Sequence, residues 1–211
     1  MVDDARKFFH GLLRERFAPE LRKLGFKGSG NHFRRVRGEV INAINIQGNK
    51  YGGSCAVNLG LHLAFLPYNW KSEIPDPTKI KEIDCEFRSR LAPGRRSDYW
   101  WKYDGLLTSP RKQVDHLVNT YLRFGEPMFA RYESVEDVAK MISLDDVSRR
   151  KFVGAFGNVS VVRAALTMAR IHQHLGNREL AMLFAQAGME NIGRATSLRP
   201  EFQTILEANQ S

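Results

Sequence analysis

Residues 55–63 read Cys-Ala-Val-Asn-Leu-Gly-Leu-His-Leu, and this stretch decides the fold class. Cysteine, valine and leucine occupy every second position, and small or polar residues stand between them. Successive side chains of a β-strand point to opposite faces, so the alternation predicts a strand with one buried face. The stretches His32 to Arg37 and Val40 to Gln47 predict two further strands, joined by a two-residue hairpin turn at Gly38-Glu39. Residues 32–65 therefore predict a three-stranded antiparallel meander.

A second alternating stretch runs from Glu82 to Leu91 and predicts a fourth strand. Its apolar positions are expected on a buried face and its charged positions on a solvated face. The apolar set is Ile83, Cys85, Phe87 and Leu91, and the charged set is Glu82, Asp84, Glu86, Arg88 and Arg90. We expect Cys55 and Cys85 to share one buried face, packed against the N-terminal helix.

Helical patterns stand before and after the predicted sheet. Asp3 to Leu24 predicts a helix, because phenylalanine and leucine recur there at spacings of three and four residues. Pro19 interrupts this helix, since proline has no N–H to donate, and Gly25 fits a left-handed helix end. From Ser109 the patterns are helical, and Val159 to Arg194 resembles one helix-turn-helix unit of a tetratricopeptide repeat.

The chain of 211 residues is long enough for one large domain, or for one domain with a helical extension. We predict the α+β class, with an antiparallel sheet of four or more strands packed against helices. The sheet domain is expected in residues 1–133, and a weakly repeat-like helical extension in residues 134–211.

The composition is that of an ordinary folded protein, with 43% hydrophobic residues. No run of about 18 apolar residues is present, so no membrane partner is expected. The N-terminus lacks the apolar segment of a secretory signal, and the two cysteines are expected to be buried free thiols. We therefore expect a soluble cytoplasmic protein without a metal or a cofactor.

The net charge is +9, and the excess of positive charge is concentrated in the first half of the chain. Residues 1–105 hold 19 Lys and Arg against 12 Asp and Glu, whereas residues 106–211 hold 13 against 11. A basic protein can bind nucleic acid, an anionic membrane or an acidic protein, or its charge can serve solubility alone.

No catalytic constellation is present in the sequence. The glycine-rich stretches 28–30 and 48–53 lack the strand-loop-helix context of a phosphate-binding loop, and they are interpreted as turns. The histidines are scattered, and each is expected to be solvated or singly hydrogen-bonded. Glu82, Asp84 and Glu86 share one predicted strand face, where they could bind a divalent cation or pair with neighbouring arginines.

The segment from Arg88 to Lys102 combines cations with aromatic rings, which are the groups that bind single-stranded nucleic acid. Six of its side chains are candidate ligand contacts: Arg88, Arg90, Arg95, Arg96, Trp100 and Trp101. A second basic run, Arg34-Arg35-Val36-Arg37, could lie on the same sheet. The alternative is structural, because adjacent tryptophans in a loop often close the edge of a core, with arginines stacked on them.

Taken in order, several short segments resemble the domain of unknown function (DUF) family 4304 over roughly residues 5–133. They are Leu21-Arg22-Lys23-Leu24-Gly25-Phe26 with Phe33, Val40 to Gln47, Val57-Asn58-Leu59-Gly60, Arg90-Leu91 with Trp100-Trp101, and Glu126-Pro127 with Phe129. The resemblance implies an α+β bacterial-type domain of unassigned function, and it supplies no catalytic residues.

We expect a non-enzymatic recognition module that binds a protein partner. Nucleic-acid binding through the basic and aromatic segment is the alternative, and a metal-dependent enzyme built on the three carboxylates is the third hypothesis.

Overall fold

The structure, a computed structural model, describes residues 2–94, 96–104, 109–152, 156 and 159–209. The chain divides into two units, Met1–Arg131 and Tyr132–Ser211. An antiparallel sheet with helices forms the first unit, and helices form the second, so the predicted α+β class is confirmed. None of the described helices is long and apolar enough to cross a membrane.

The first unit is organised around a six-stranded sheet in which every pair of neighbouring strands is antiparallel. The strands are β1 (Lys27–Ser29), β2 (His32–Arg37), β3 (Val40–Gly48), β4 (Ser54–Leu63), β5 (Phe87–Arg90) and β6 (Trp101–Lys102). β1 to β5 are neighbours in chain order, and β6 pairs with the first residues of β4. The predicted meander is confirmed, including a tight turn at Gly38, whose φ is +55°.

Strand β4 is buried on both of its faces, whereas the sequence pattern predicted only one buried face. β3 lies along one edge of β4, and β5 and β6 share the other edge. Helices cover the face that carries Cys55, where Trp101 lies opposite Cys55 and bonds His116 of a helix. Chain segments after β4 cover the other face, where Cys85 packs at Gly60.

The two cysteines lie on opposite faces of the sheet, which corrects the prediction that they share one. Residues 55 and 60 differ in parity along β4, so their side-chain directions are opposite, and a Cβ built on Gly60 would lie 2.8 Å from Cys85 Sγ. Cys85 forms a small cluster there with Ile41, Ala43 and Ile80. Burial raises the pKa of Cys55 to about 12 and that of Cys85 well above its usual value, so both remain thiols.

The predicted strand at 82–91 is correct only in its second half. Glu82–Asp84 is a single 3₁₀ turn, and β5 begins at Phe87. Within the turn the burial is the reverse of the prediction. Ile83, expected on the buried face, is 54% exposed, and Glu82, expected on the solvated face, is only 3% exposed. Arg88 causes the exchange, since its Nε donates a 2.6 Å hydrogen bond to the Glu82 carboxylate and neutralises the buried charge.

The helices of the first unit contain two single π-helical turns, each followed closely by proline. The helices are α1 (Val2–Leu12), α2 (Ala18–Lys23), α3 (Pro110–Thr120) and α4 (Glu126–Ala130). Leu13–Phe17 joins α1 to α2, and Tyr121–Gly125 joins α3 to α4. The predicted left-handed helix end at Gly25 is confirmed by its φ of +88°.

The second unit is helical, as predicted for the C-terminal part of the chain. Its helices are α5 (Val135–Ala139), α6 (Leu144–Arg149), α7 (Val161–His174), α8 (Arg178–Glu190) and α9 (Arg199–Ala208). Ser134 and Ser143 cap α5 and α6 by accepting hydrogen bonds from the N–H groups of Asp137 and Asp146. Such caps satisfy N–H groups that have no partner within the helix.

Candidate functional site

The predicted ligand residues of the first unit occupy different environments. Arg95 lies outside the described residues. Arg88 is bound to the buried Glu82. Arg90 and Trp100 are partly exposed, and Arg96 is exposed. Trp101 is fully buried. The structure therefore leaves Arg90, Arg96 and Trp100 accessible at the surface, and it buries Trp101.

Trp101 is a packing residue, which corrects its prediction as a ligand contact. It lies in β6 on the helix-covered face, and its ring meets the Tyr99 ring edge-on at 4.9 Å between centroids. Its Nε1 donates a 3.1 Å hydrogen bond to His116 Nδ1. Because Nδ1 accepts this bond, the ring proton of neutral His116 lies on Nε2. Trp101 therefore orients the His116 ring through this hydrogen bond and does not contact a ligand itself.

Arg90 and Trp100 form a fixed pair on the other face of the sheet. The Arg90 guanidinium carbon lies 5.2 Å from the centroid of the Trp100 ring, a cation–π distance. Asp98 holds both partners, since one carboxylate oxygen accepts from Arg90 Nη1 at 3.2 Å and the other from Trp100 Nε1 at 3.1 Å. The indole is therefore positioned before any ligand arrives.

A row of polar side chains continues from Arg90 across four strands. His32, Asn45, Asn58 and Arg90 are successive register partners on β2, β3, β4 and β5. Asn58 Nδ2 donates to Asn45 Oδ1 at 3.2 Å and to Gln47 Oε1 at 3.0 Å, and Arg90 Nη2 donates to the same Gln47 oxygen at 3.1 Å. We call His32, Asn45, Gln47, Asn58 and Arg90 the polar row.

A cavity of about 560 Å³ opens between the loop before β6 and helix α3. Its described lining consists of Pro93, Gly94, Arg96, Tyr99, His116, Asn119, Thr120, Arg123 and Phe124. The Arg96 guanidinium lies 5.6 Å from the Tyr99 ring centroid. Two arginines and an imidazole face this space with two aromatic rings, and no carboxylate is among the described lining residues. We call it the α3 cavity.

A second basic cavity, of about 530 Å³, lies along helix α1. Its described lining consists of Arg6, Lys7, His10, Arg14 and Gly30. The sequence pattern did not predict this cleft, although residues 6, 10 and 14 stand at intervals of four and so share a helix face. We call it the α1 cleft.

The three carboxylates considered for a metal do not converge. Glu82 is bound to Arg88 at 2.6 Å. Asp84 accepts from the Lys81 N–H at 2.9 Å and from Trp70 Nε1 at 3.2 Å, and Glu86 is buried. Within the described residues no group of three or more His, Cys, Asp or Glu side chains is arranged to hold a metal ion.

The basic run 34–37 does not form one surface, because Arg35 is buried beneath the helices. Arg35 Nε and Nη2 donate to Asn42 Oδ1 at 3.0 and 2.8 Å, and Nη1 donates to Glu126 Oε1 at 2.6 Å. The Tyr121 hydroxyl donates to the second Glu126 oxygen at 2.7 Å. Burial, and then the Glu126 charge, raises the pKa of Tyr121, so the hydroxyl stays protonated. This network joins the sheet to the helices.

One family model matches the chain, and its description is domain of unknown function, DUF4304. The match covers residues 17–131, which is more than half of the chain. No curated protein and no solved structure matches. The matched range includes the sheet, the α3 cavity and the polar row, and it ends at the last residue of the first unit.

Proposed function

Because the chain belongs to the DUF4304 family, whose function is unassigned, we propose from its own geometry that it is a recognition module for an anionic partner. The partner that we favour is an acidic segment of another protein, met in the cytoplasm. The α3 cavity is the site that we assign to this contact.

The observation that carries the proposal is the lining of the α3 cavity. Arg96 and Arg123 supply two permanent positive charges, and no described lining residue supplies a negative one. A guanidinium can hold a carboxylate by two parallel hydrogen bonds. An acidic side chain entering this space would meet two positive charges that form no ion pair within the described part of the chain.

The other lining groups favour a peptide as the carrier of that charge. Asn119 offers a neutral donor and acceptor, which suit the amide groups of a peptide backbone. Tyr99 and Phe124 offer apolar surface for the methylene groups of glutamate. A cavity of about 560 Å³ is also within the usual size range of pockets that bind small groups.

Binding of a fluorescein-labelled peptide of ten glutamates, followed by anisotropy at low salt, tests this proposal. We expect the Arg96→Ala/Arg123→Ala variant to bind about tenfold more weakly, because it loses two charge-assisted contacts. Lys23→Ala/Lys140→Ala is the matched control, since it removes two charges at side chains that are 70% and 77% exposed elsewhere. If both variants weakened binding equally, the effect would come from the net charge alone, which would contradict the proposal.

Single-stranded nucleic acid is the second candidate partner, and the Arg90–Trp100 pair is the observation that favours it. A positioned, partly exposed indole beside a guanidinium can stack a base while the cation meets a phosphate. The half-buried Asn45 and the exposed Gln47 extend this surface across the sheet with amide groups that can bond base edges.

The same titration with a ten-nucleotide single strand distinguishes the two partners. If nucleic acid is the ligand, Trp100→Ala should weaken oligonucleotide binding by about 1–3 kcal/mol, the value of one stacked base. Trp70→Ala, at a tryptophan that is 65% exposed in another loop, should leave it unchanged. Tight peptide binding, together with oligonucleotide binding that Trp100→Ala does not weaken, would contradict this candidate.

A further inference from the structure

The α1 cleft is a separate concentration of positive charge, formed by helix α1 and the turn between β1 and β2. Four basic side chains line it, together with Gly30 of the turn. Arg6, Lys7 and Arg14 are exposed, and His10 is half-buried at their centre. The cleft shares no lining residue with the α3 cavity.

No ion pair among the described residues neutralises the cations of the cleft. Within the described residues, Arg6, Lys7 and Arg14 form no ion pair, although ten other salt bridges are present there. Like charges four residues apart repel each other on a helix. A protonated His10 would stand at that spacing from both Arg6 and Arg14, so an anion in the cleft would lower the cost of charging the ring.

His10 reports the positive field inside the cleft. Burial lowers its pKa first, and the charges of Arg6 and Arg14 lower it further. Both guanidinium groups therefore act on the same imidazole, and the neutral ring can donate one hydrogen bond and accept another. An anion bound at this point would be within reach of both arginines.

The length of the charged stripe indicates the class of anion. Residues 6 and 14 are separated by about 12 Å along the helix axis, at 1.5 Å of rise per residue. One carboxylate would leave part of this row of positive charge unpaired, whereas a chain of phosphoryl groups presents several oxygens along its length. Arginine and lysine are also the side chains that bind phosphate most often.

We propose that the α1 cleft binds a polyphosphate anion, that is, a ligand with two or more linked or neighbouring phosphoryl groups. Arg6 and Arg14 contact its two ends, and Lys7 and His10 bind the oxygens between them. This site goes beyond the proposed function, because it lies in other residues and takes a different ligand.

Calorimetric titration of the full chain with sodium tripolyphosphate at low salt tests the proposal. We expect saturable binding, and at least about a tenfold loss of affinity in Arg6→Gln/Arg14→Gln, which removes two charge-assisted contacts. The control Lys23→Gln/Lys140→Gln removes equal charge at exposed side chains and should bind within about twofold of the natural chain. No binding by the natural chain, or equal losses in both variants, would overturn the site.

A site-specific readout guards against a variant that is merely misfolded. The proton on Cε1 of His10 should change its NMR chemical shift as tripolyphosphate is added to the natural chain, and the shift should saturate with the calorimetric isotherm. Binding that leaves this proton unmoved would place the anion elsewhere and contradict the proposal.

The phosphoryl groups could belong to a free polyphosphate or to a lipid headgroup, and vesicles separate the two sources. Co-sedimentation with phosphatidylinositol-phosphate vesicles, but not with phosphatidylcholine vesicles, and release by tripolyphosphate would identify a headgroup. Binding of tripolyphosphate alone would identify a free anion. Binding of a single-stranded oligonucleotide, with no response to tripolyphosphate, would overturn the proposal.

Discussion

Arg35 shows how a single residue can tie the sheet to its helices. Its guanidinium bonds Asn42 on the neighbouring strand, the carbonyl of Leu24 at the end of α2, and Glu126 at the start of α4. The ring of Phe26 lies beneath it at 4.4 Å. Burial of a charge is tolerated only where such partners replace water, so each partner is required.

Replacing Glu126 by glutamine should destabilise the protein strongly. The change leaves the buried Arg35 charge without its counter-ion, and breaking a buried pair typically costs about 3–5 kcal/mol. Urea unfolding followed by circular dichroism measures the loss. Glu20→Gln is the control, because its partner Lys23 is 70% exposed and surface pairs contribute about 0–1 kcal/mol. Similar losses in the two variants would show that the buried pair is not structural.

At the scale of one element, β4 depends on the glycine at its centre. A Cβ built on Gly60 would lie 2.8 Å from Cys85 Sγ and 3.1 Å from Glu82 Cα, closer than packed atoms approach. A Cβ on Gly48, in the adjacent strand β3, would meet nothing within 4 Å. The exposed Gly48 at the end of β3 therefore has room for a Cβ, whereas the buried Gly60 does not.

Gly60→Ala should therefore cost about 1–3 kcal/mol, the usual penalty of overpacking a filled core. Gly48→Ala should change stability by less than about 0.5 kcal/mol, as a surface substitution does. Thermal and urea unfolding of both variants provide the comparison. A Gly60→Ala protein as stable as the Gly48→Ala protein would mean that the 82–85 segment does not pack on β4.

The elements that follow a local pattern could be predicted from the sequence, and the others depend on contacts distant in the chain. The meander and the Gly25 helix end follow from side-chain alternation and from a glycine at a positive φ. The segment 82–86 alternates equally well, but the Arg88 ion pair turns Glu82 inward and Ile83 outward. A period of two residues cannot reveal that a charge will be neutralised in the core.

The π-helical turns were also beyond the sequence pattern. In each, an N–H donates five residues back, from Ala18 to Leu13 and from Glu126 to Tyr121. A proline follows one position later, at Pro19 and Pro127. Proline has no backbone N–H, so it cannot donate a hydrogen bond in an α-helix either. Pro19 predicted a disturbance, but not its form.

The candidate site shows the same division. Arg90, Arg96 and Trp100 were found by composition, because cations and rings stand close together in the sequence. His116 and Asn119 on α3, and Arg123 in the π-helical turn after it, reach the α3 cavity only through the packing of that helix. Adjacent Trp100 and Trp101 were indistinguishable in sequence, although one is partly exposed and the other fully buried.

At the scale of the whole molecule, the family match and the first unit end at the same residue. The match covers residues 17–131, and the unit is Met1–Arg131. We expect residues 1–131, produced alone, to fold cooperatively, since a domain of this size has its own core. A sigmoidal urea transition with dispersed NMR signals would support this. A broad transition, with binding of a hydrophobic dye, would show that residues 132–211 are needed for folding.

The complete burial of β4 also has a consequence for folding during synthesis on the ribosome. The ten residues of this strand contain no charge and, once made, have only β3 beside them. β5 starts at Phe87, so the segment 64–86 must be synthesised first, which takes roughly one to five seconds at typical translation rates. During that interval this apolar strand has an unpaired edge, and its Gly60 face lacks the 82–85 segment that later covers it. We expect a chaperone that binds exposed apolar strands to act on the nascent chain at this stage.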